Sequence, residues 1–141
     1  MDGISNQFQY VEIGIANEWY AIKIYDIHEI IKMQAITELP HSGAHIKGVI
    51  NLRGKIVPVI SLRARFGLEE VPYSKATRIV VVNYKEEAVG IVVDQVDRVT
   101  TFQNIQPPPE RVGGVDGEFF SGIGQTDRGL VSLLKLDHLL Q

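Results

Sequence analysis

The sequence predicts an all-β protein of two small five-stranded barrels in tandem, with a few short helices. Two observations carry this. Short β-branched runs fill the 141 residues, broken at close intervals by Gly, Pro, Asn and Asp turn signals. The chain also repeats itself: VPVISLRARF (57–66) aligns with VSLLKLDHLL (131–140), a shift of 74, with apolar positions coinciding through a strand and a short helix.

Taken in order, Phe8 to Ile15 alternates and reads as a strand, Ala16-Asn17-Glu18 as a turn, and Trp19 to Ile24 as a second strand. Asp26 to Lys32 (DIHEIIK) reads as a short helix capped by Asp26, with a bulged strand as the alternative. Pro40 to Ala44 is a loop, and Gly48 to Leu62 (GVINLRGKIVPVISL) is a hairpin. Ser61 to Gly67 is one short helix, with Ser61 as N-cap and Gly67 as its stop, and Leu68 to Lys75 follows as a linker. Strands resume at Arg78–Tyr84, Ala88–Val93 and Val96–Thr101. Gln106 to Pro109 is extended, because proline fixes φ and lacks a donor. Glycines mark Glu118 to Gln125 as loop, and the chain closes with a strand (Leu130–Leu133) and an apolar helix near Leu136–Leu140.

At the shift of 74, Gly48-Val49 falls on Gly122-Ile123, and the Arg53-Gly54 turn falls near Arg128-Gly129 with one residue inserted. Ile22–Ile27 resembles Ile91–Val96 at a shift of 69. The expected division is therefore approximately 12–70 and 71–141, with the N-terminal strand and C-terminal helix able to cross over. Units of about 60 residues are marginal alone, so the halves are expected to share a packed interface beside a crevice.

Composition narrows the function. With 45% hydrophobic and 22% charged residues the chain is an ordinary globular one. A net charge of −3 without a basic stripe argues against a nucleic-acid partner. Zero cysteines exclude disulfides and thiol chemistry and suit a reducing cytosol. MDGISNQFQY does not read as a signal peptide, and no apolar run approaches the roughly 20 residues of a membrane span. Membrane association is expected only through a partner.

No catalytic, cofactor or metal constellation emerges. His28-Glu29-Ile30-Ile31-Lys32 has lysine where HExxH needs its second histidine. His41 and His45 flank a Ser-Gly pair and lack a third ligand. Ser121 stands in no nucleophile elbow, and Gly122-Ile123-Gly124 is not completed to GxGxxG. Asp94 and Asp97, spaced as DxxD, read as strand caps at a solvated edge, with paired carboxylates as the alternative. An enzyme is not expected.

The stretch Ile46 to Arg63, with its GVxNLRGxxxPVxxL pattern, resembles the signature of the CheW family of chemotaxis coupling proteins. The likeness continues through Tyr20–Ile24, Glu29-Ile30, Val89–Val96, Ser121–Gly124 and Leu130–Leu134, nearly the whole chain. Thr101 to Phe119 matches weakly. The resemblance implies two SH3-like barrels and a scaffold that joins the regulatory domain of the histidine kinase CheA to chemoreceptor cytoplasmic tips. It implies a cytoplasmic protein held at receptor arrays by its partners, with the receptor tip in the groove between barrels. The same fold occurs in the kinase's own C-terminal domain and in CheV-type couplers; the length here suits a stand-alone coupler. A coupler of a non-flagellar system such as twitching motility shares this logic. A general SH3-like peptide-binding module is a further alternative, though PxxP readers cluster surface aromatics and here Trp19 is the single tryptophan.

By the resemblance, Glu29 and Arg53 come together as a partner-binding pair. Arginine at a hairpin tip is explained if its planar fork serves Glu29 and a partner carbonyl at once. Ile27, Ile30 and Val49 are candidate wall residues near the pair, with Asn51 in the motif itself. Val92 and Val99 are candidates from the second half. Gly48 and Gly54 are expected to serve backbone geometry.

Overall fold

The structure, a computed structural model, describes residues 8–40, 43 and 45–141. Its strands are β1 (Tyr10–Ile15), β2 (Glu18–Lys23), β3 (Ile27–Lys32), β4 (Ile46–Leu52), β5 (Lys55–Ser61), β6 (Arg78–Tyr84), β7 (Glu87–Val93) and β8 (Gln95–Thr100). The two-residue strands β9 (Arg111–Val112) and β10 (Val115–Asp116) form a miniature hairpin, followed by β11 (Phe120–Thr126) and β12 (Gly129–Leu134). The helices are α1 (Leu62–Arg65) and α2 (Leu136–Leu139).

The chain divides into two compact units, Asp26–Gln95 and Met1–Tyr25 with Val96–Gln141, here the central and terminal barrels. The expected division near residue 70 is corrected: it falls inside the central barrel. That barrel is one sheet of order β3-β6-β7-β5-β4; the terminal one is β8-β1-β2-β12-β11. The hairpin β6–β7 follows α1 along the chain, whereas its counterpart β1–β2 comes from the N-terminus. The terminal unit is thus a circular permutation of the central one, which sequential halves cannot capture.

The two shifts seen in the sequence are both borne out and tied together by pairing. Val59 lies parallel to Gly90, and Leu133, 74 residues after Val59, lies parallel to Ala21, 69 before Gly90. Both hairpins turn through two left-handed residues, Ala16-Asn17 (φ 50°, 72°) and Lys85-Glu86 (φ 50°, 68°). Such turns match the right-handed twist of their strands.

Each sheet closes by the same device. Past β3, Thr37 exchanges two backbone hydrogen bonds of 2.9 Å with Val49 of β4. Past β8, Gln106 does so with Ile123 of β11, at 2.9 and 2.8 Å. First and last strands are thereby joined, and the fold is two SH3-like five-stranded barrels. Gly48 shows why glycine precedes the closing bridge: at φ 145°, a Cβ would lie 2.1 Å from the Thr37 carbonyl oxygen. A register shift accompanies the glycine in both barrels, between Ile46 and Gly48 and between Phe120 and Gly122.

The central core packs Ile50, Val57 and Val59 against Ile79, Val81 and Val92. Fully buried aliphatics of this kind each contribute about 1.5–3 kcal/mol. The terminal core gathers Tyr10, Ala21, Phe102, Val131 and Leu133, with Tyr10 and Phe102 edge to face at 5.3 Å.

Two element expectations are corrected. Ile27 to Lys32 is the bulged strand given as the alternative, not the short helix; a 3-10 turn at Ile24–Asp26 precedes it, and the bulge lies between Ile27 and Glu29. Pairing to β6 selects the β-branched Ile27, Ile30 and Ile31 over helical spacing. Glu118 to Gln125 is mostly strand: Gly122 and Gly124 admit Ile105 and the Phe102 ring, which a Cβ would meet at 2.4 and 2.3 Å. The helix after β5 is as expected: Ser61 Oγ accepts from Ala64 N at 3.1 Å, and Gly67 ends it at φ 78°.

Candidate functional site

The β4–β5 pairing sets Leu52 opposite Lys55, leaving Arg53 and Gly54 as a two-residue turn. Both are left-handed, at φ 53° and 88°. Glycine takes this conformation freely, but a residue with a side chain does so against steric resistance. The turn is braced by Asn51, whose Oδ1 accepts from Gly54 N at 2.9 Å. Gln34 Nε2 donates to the Asn51 carbonyl at 3.4 Å.

Arg53 Nη2 donates to Glu29 Oε2, so the turn and β3 meet through a charge-assisted hydrogen bond. That bond, chiefly, holds the Glu29 carboxyl below the usual glutamate range, and nearby His28, Nε2 3.5 Å from Glu29 Oε2, favours the same direction when charged. The Arg53 guanidinium is pushed up in turn by Glu29. Exposure is unequal: the Glu29 side chain is 24% accessible and that of Arg53 66%. Glu29 is the brace and Arg53 the presented group, with donors left over on its planar fork.

The other expected residues divide. Ile27 is half-buried, Ile30 is exposed on β3, and Val49 is half-buried beside its bridge to Thr37. Gly48 and Gly54 serve the backbone, one as a close approach and one as a turn with nothing within 4 Å of an added Cβ. Val92 lies in the same unit as Glu29 and Arg53; it is 8% exposed, packed in the core and at the wall of a small cleft shared with Ser61, Arg63 and Asp94. Val99 is exposed on β8, in the terminal barrel. His41 lies outside the described residues; among those described, no three His, Asp or Glu side chains gather as a metal site. Burial, with Arg65 adding to it, holds the His45 imidazole below its usual value.

The sequence did not reveal the polar pairs built by pairing across the sheets. Asp94 is not a solvated cap: Arg63 grips it with Nε at 2.9 Å and Nη2 at 2.6 Å. Asp97 takes Arg128 at 2.7 Å. Glu12, fully buried on β1, accepts from Arg98 Nε at 3.3 Å and from Arg128 Nη2, whose guanidinium lies 4.0 Å over the Trp19 ring. Glu12 stands at an alternating position of YVEIGI that reads as solvent-facing, so only the fold exposes it as buried.

Fold and site together define a double SH3-like barrel that presents a braced arginine on a tight turn. Residues 9–141 match the model of the CheW-like domain family. The chain is 35% identical over 134 residues to the chemotaxis protein CheW of Klebsiella aerogenes, covering 94% of this chain and 81% of that one. It is 31% identical over 137 residues to the Treponema pallidum chemotaxis protein CheW, covering 93% and 79%. The crystal structure of the scaffolding protein TtCheW from Thermoanaerobacter tengcongensis superposes with a TM-score of 0.88 at 38% identity, covering 96% and 88%. The chain belongs to the CheW-like family, a family of scaffold and adaptor proteins.

Proposed function

We propose that this protein is a chemotaxis coupling scaffold that joins the regulatory domain of the histidine kinase CheA to the cytoplasmic tips of chemoreceptors. Family membership supports the chemotaxis role, and the observation that carries the site is Arg53, left-handed at a two-residue turn and braced by Glu29. The left-handed turns at Ala16-Asn17 and Lys85-Glu86 carry other side chains too, so it is the bond from the turn to Glu29 on β3 that sets Arg53 apart. In this reading Arg53 gives Glu29 part of its fork and a partner carbonyl or carboxylate the rest. Ile30 adds apolar contact, and Ile27 and Val49 support it from below. Asn51, Gly54 and Gly48 keep the turn and the barrel closure in shape.

The role needs no bond-making. Holding kinase and receptor in one array lets a receptor conformational change reach the kinase as a coupling free energy between binding sites. Among the described residues no helix is long and apolar enough to cross a membrane, so placement in the cytoplasm at receptor arrays through its partners is part of the same proposal.

Titrating wild type, Arg53→Ala and Glu29→Ala with a CheA regulatory domain and a receptor cytoplasmic fragment, separately, tests it. The expectation is wild-type binding to both and a loss of about tenfold or more for one partner in each variant, with circular dichroism unchanged. A folded wild type that binds neither partner overturns the proposal.

A further inference from the structure

The bulge in β3 brings a third group to the Glu29–Arg53 pair. Along an ordinary strand, neighbouring side chains point to opposite faces. In β3 the pairing to β6 steps from Ile27 opposite Val82 to Glu29 opposite Val81, so His28 has no place of its own in the ladder. The extra residue bends the strand and re-aims side chains there. His28 Nε2 lies 3.5 Å from Glu29 Oε2, the same oxygen that accepts from Arg53 Nη2. One carboxylate oxygen is thus faced by a fixed cation and by an imidazole, the side-chain type that gains and loses its charge around neutral pH.

Exposure sorts the three groups. The His28 side chain is 52% accessible and that of Arg53 66%, whereas Glu29 is 24% accessible. Both nitrogen-bearing groups therefore stand outside the carboxylate that ties them. The other charged groups lie elsewhere on the neighbouring elements. β6 sets Val81 and Val82 at the bulge; its titratable residues are Arg78, opposite Lys32 at the far end of β3, and Tyr84, opposite Glu87 of β7. Asp26 ends the 3-10 turn before β3, and Lys55 faces Leu52 at the base of the Arg53 turn. With His28 neutral, Glu29 and Arg53 cancel; with His28 charged, the three groups carry a net positive charge.

We propose that His28 is a further binding residue of the Arg53 site: its imidazolium and the Arg53 guanidinium together take a carboxylate side chain of the partner, so that the contact tightens as pH falls through neutrality. The inference rests on reading Glu29–Arg53 as a contact. It narrows the group that Arg53 meets from a carbonyl or carboxylate to a carboxylate, the one that gains more from a second cation. An anion bound beside His28 favours the charged imidazole, so the added affinity is present at the acid end and lost as pH rises through neutrality. Glu29 keeps its charge across this range, because Arg53 holds its carboxyl below the usual glutamate range.

The test titrates a CheA regulatory domain and a receptor cytoplasmic fragment at about pH 6 and about pH 8, and reads the complex that Arg53→Ala weakens. Wild type and His28→Gln should bind alike at the higher pH. At the lower pH wild type should bind about threefold tighter than His28→Gln, an advantage that shrinks as salt rises. Taking His28→Gln as reference cancels the titration of the partner's own groups. His28→Lys, cationic throughout, should bind at the higher pH as wild type does at the lower. Equal pH dependence in wild type and His28→Gln, or His28→Lys no tighter than His28→Gln at the higher pH, overturns the inference. A wild type weaker than His28→Gln at the lower pH also overturns it, since the imidazolium would then be drawing Glu29 away from Arg53. If Arg53→Ala binds both probes as wild type does, the reading of the Arg53 site fails and this one goes with it; a weakened Arg53→Ala beside a silent His28 overturns this inference alone.

Discussion

The central and terminal barrels share one topology and one closing device, yet at one interior position they differ in charge. Where β6 of the central barrel buries Val81 among aliphatics, β1 of the terminal barrel buries the carboxylate of Glu12 under Arg98 and Arg128. A charge is tolerated in so small a core only with charged partners, and here two half-exposed arginines supply them. The apolar position leaves β3 free to carry Glu29 as a surface acid; the acidic one calls for an arginine above it, Arg98, which stands 69 residues on from Glu29 and donates to Asp127 in the β11–β12 turn. The register sets Thr126 opposite Gly129 just as Leu52 faces Lys55, so Asp127 corresponds to Arg53 and the inserted residue expected from the sequence is not there. The change from valine to glutamate at this core position thus goes with an arginine in place of the surface acid.

The closing glycines provide the largest expected effect. Gly48→Ala drives a Cβ into the Thr37 carbonyl at a positive φ and should cost about 2–5 kcal/mol by urea unfolding. Glu12→Gln keeps shape but removes the charge shared by two arginines, for an expected loss of about 1.5–3 kcal/mol. Gly122→Ala meets chiefly the Ile105 side chain, at 2.4 Å, which can shift; about 1–3 kcal/mol is expected, and less than for Gly48→Ala. Equal losses at Gly48 and Gly122 would show that the carbonyl approach is not what demands glycine in β4.

The hairpin at Gly48–Leu62, the cap at Ser61 and both repeat shifts were legible because each rests on local chemistry: alternation, a hydroxyl before a helix, a recurring apolar spacing. The division of the chain was not, because β1–β2 joins β12 by parallel pairing across more than a hundred residues. Nor was the strand at Ile27–Lys32, where pairing to β6 decides what periodicity leaves open, or β11, whose glycines read as loop until Phe102 and Ile105 are seen to fill their places. Of the site, Glu29 and Arg53 were reached through family resemblance. The Arg98–Asp127 pair was hidden because its members come from segments with weak motif character and reversed charge.

The smallest expected effect is a titration. Since pairing depresses the Glu29 pKa, its contribution is present above the unfolded-state value and is lost as pH falls through the lowered folded value. The Glu29 carboxyl resonance should therefore titrate below the ordinary glutamate range in wild type and move up towards it in Arg53→Ala. An unchanged midpoint in that variant would separate the shift from the pair.

The most direct test of the account is to give the central barrel the terminal barrel's polarity with the double variant Glu29→Arg, Arg53→Glu. The ion pair is retained, so the unfolding midpoint should stay near wild type while binding to the partner that meets Arg53, CheA domain or receptor fragment, falls about tenfold or more. Full binding to both partners by the swapped protein would mean that the pair only ties a turn to a strand, and would contradict the claim that its polarity selects a partner.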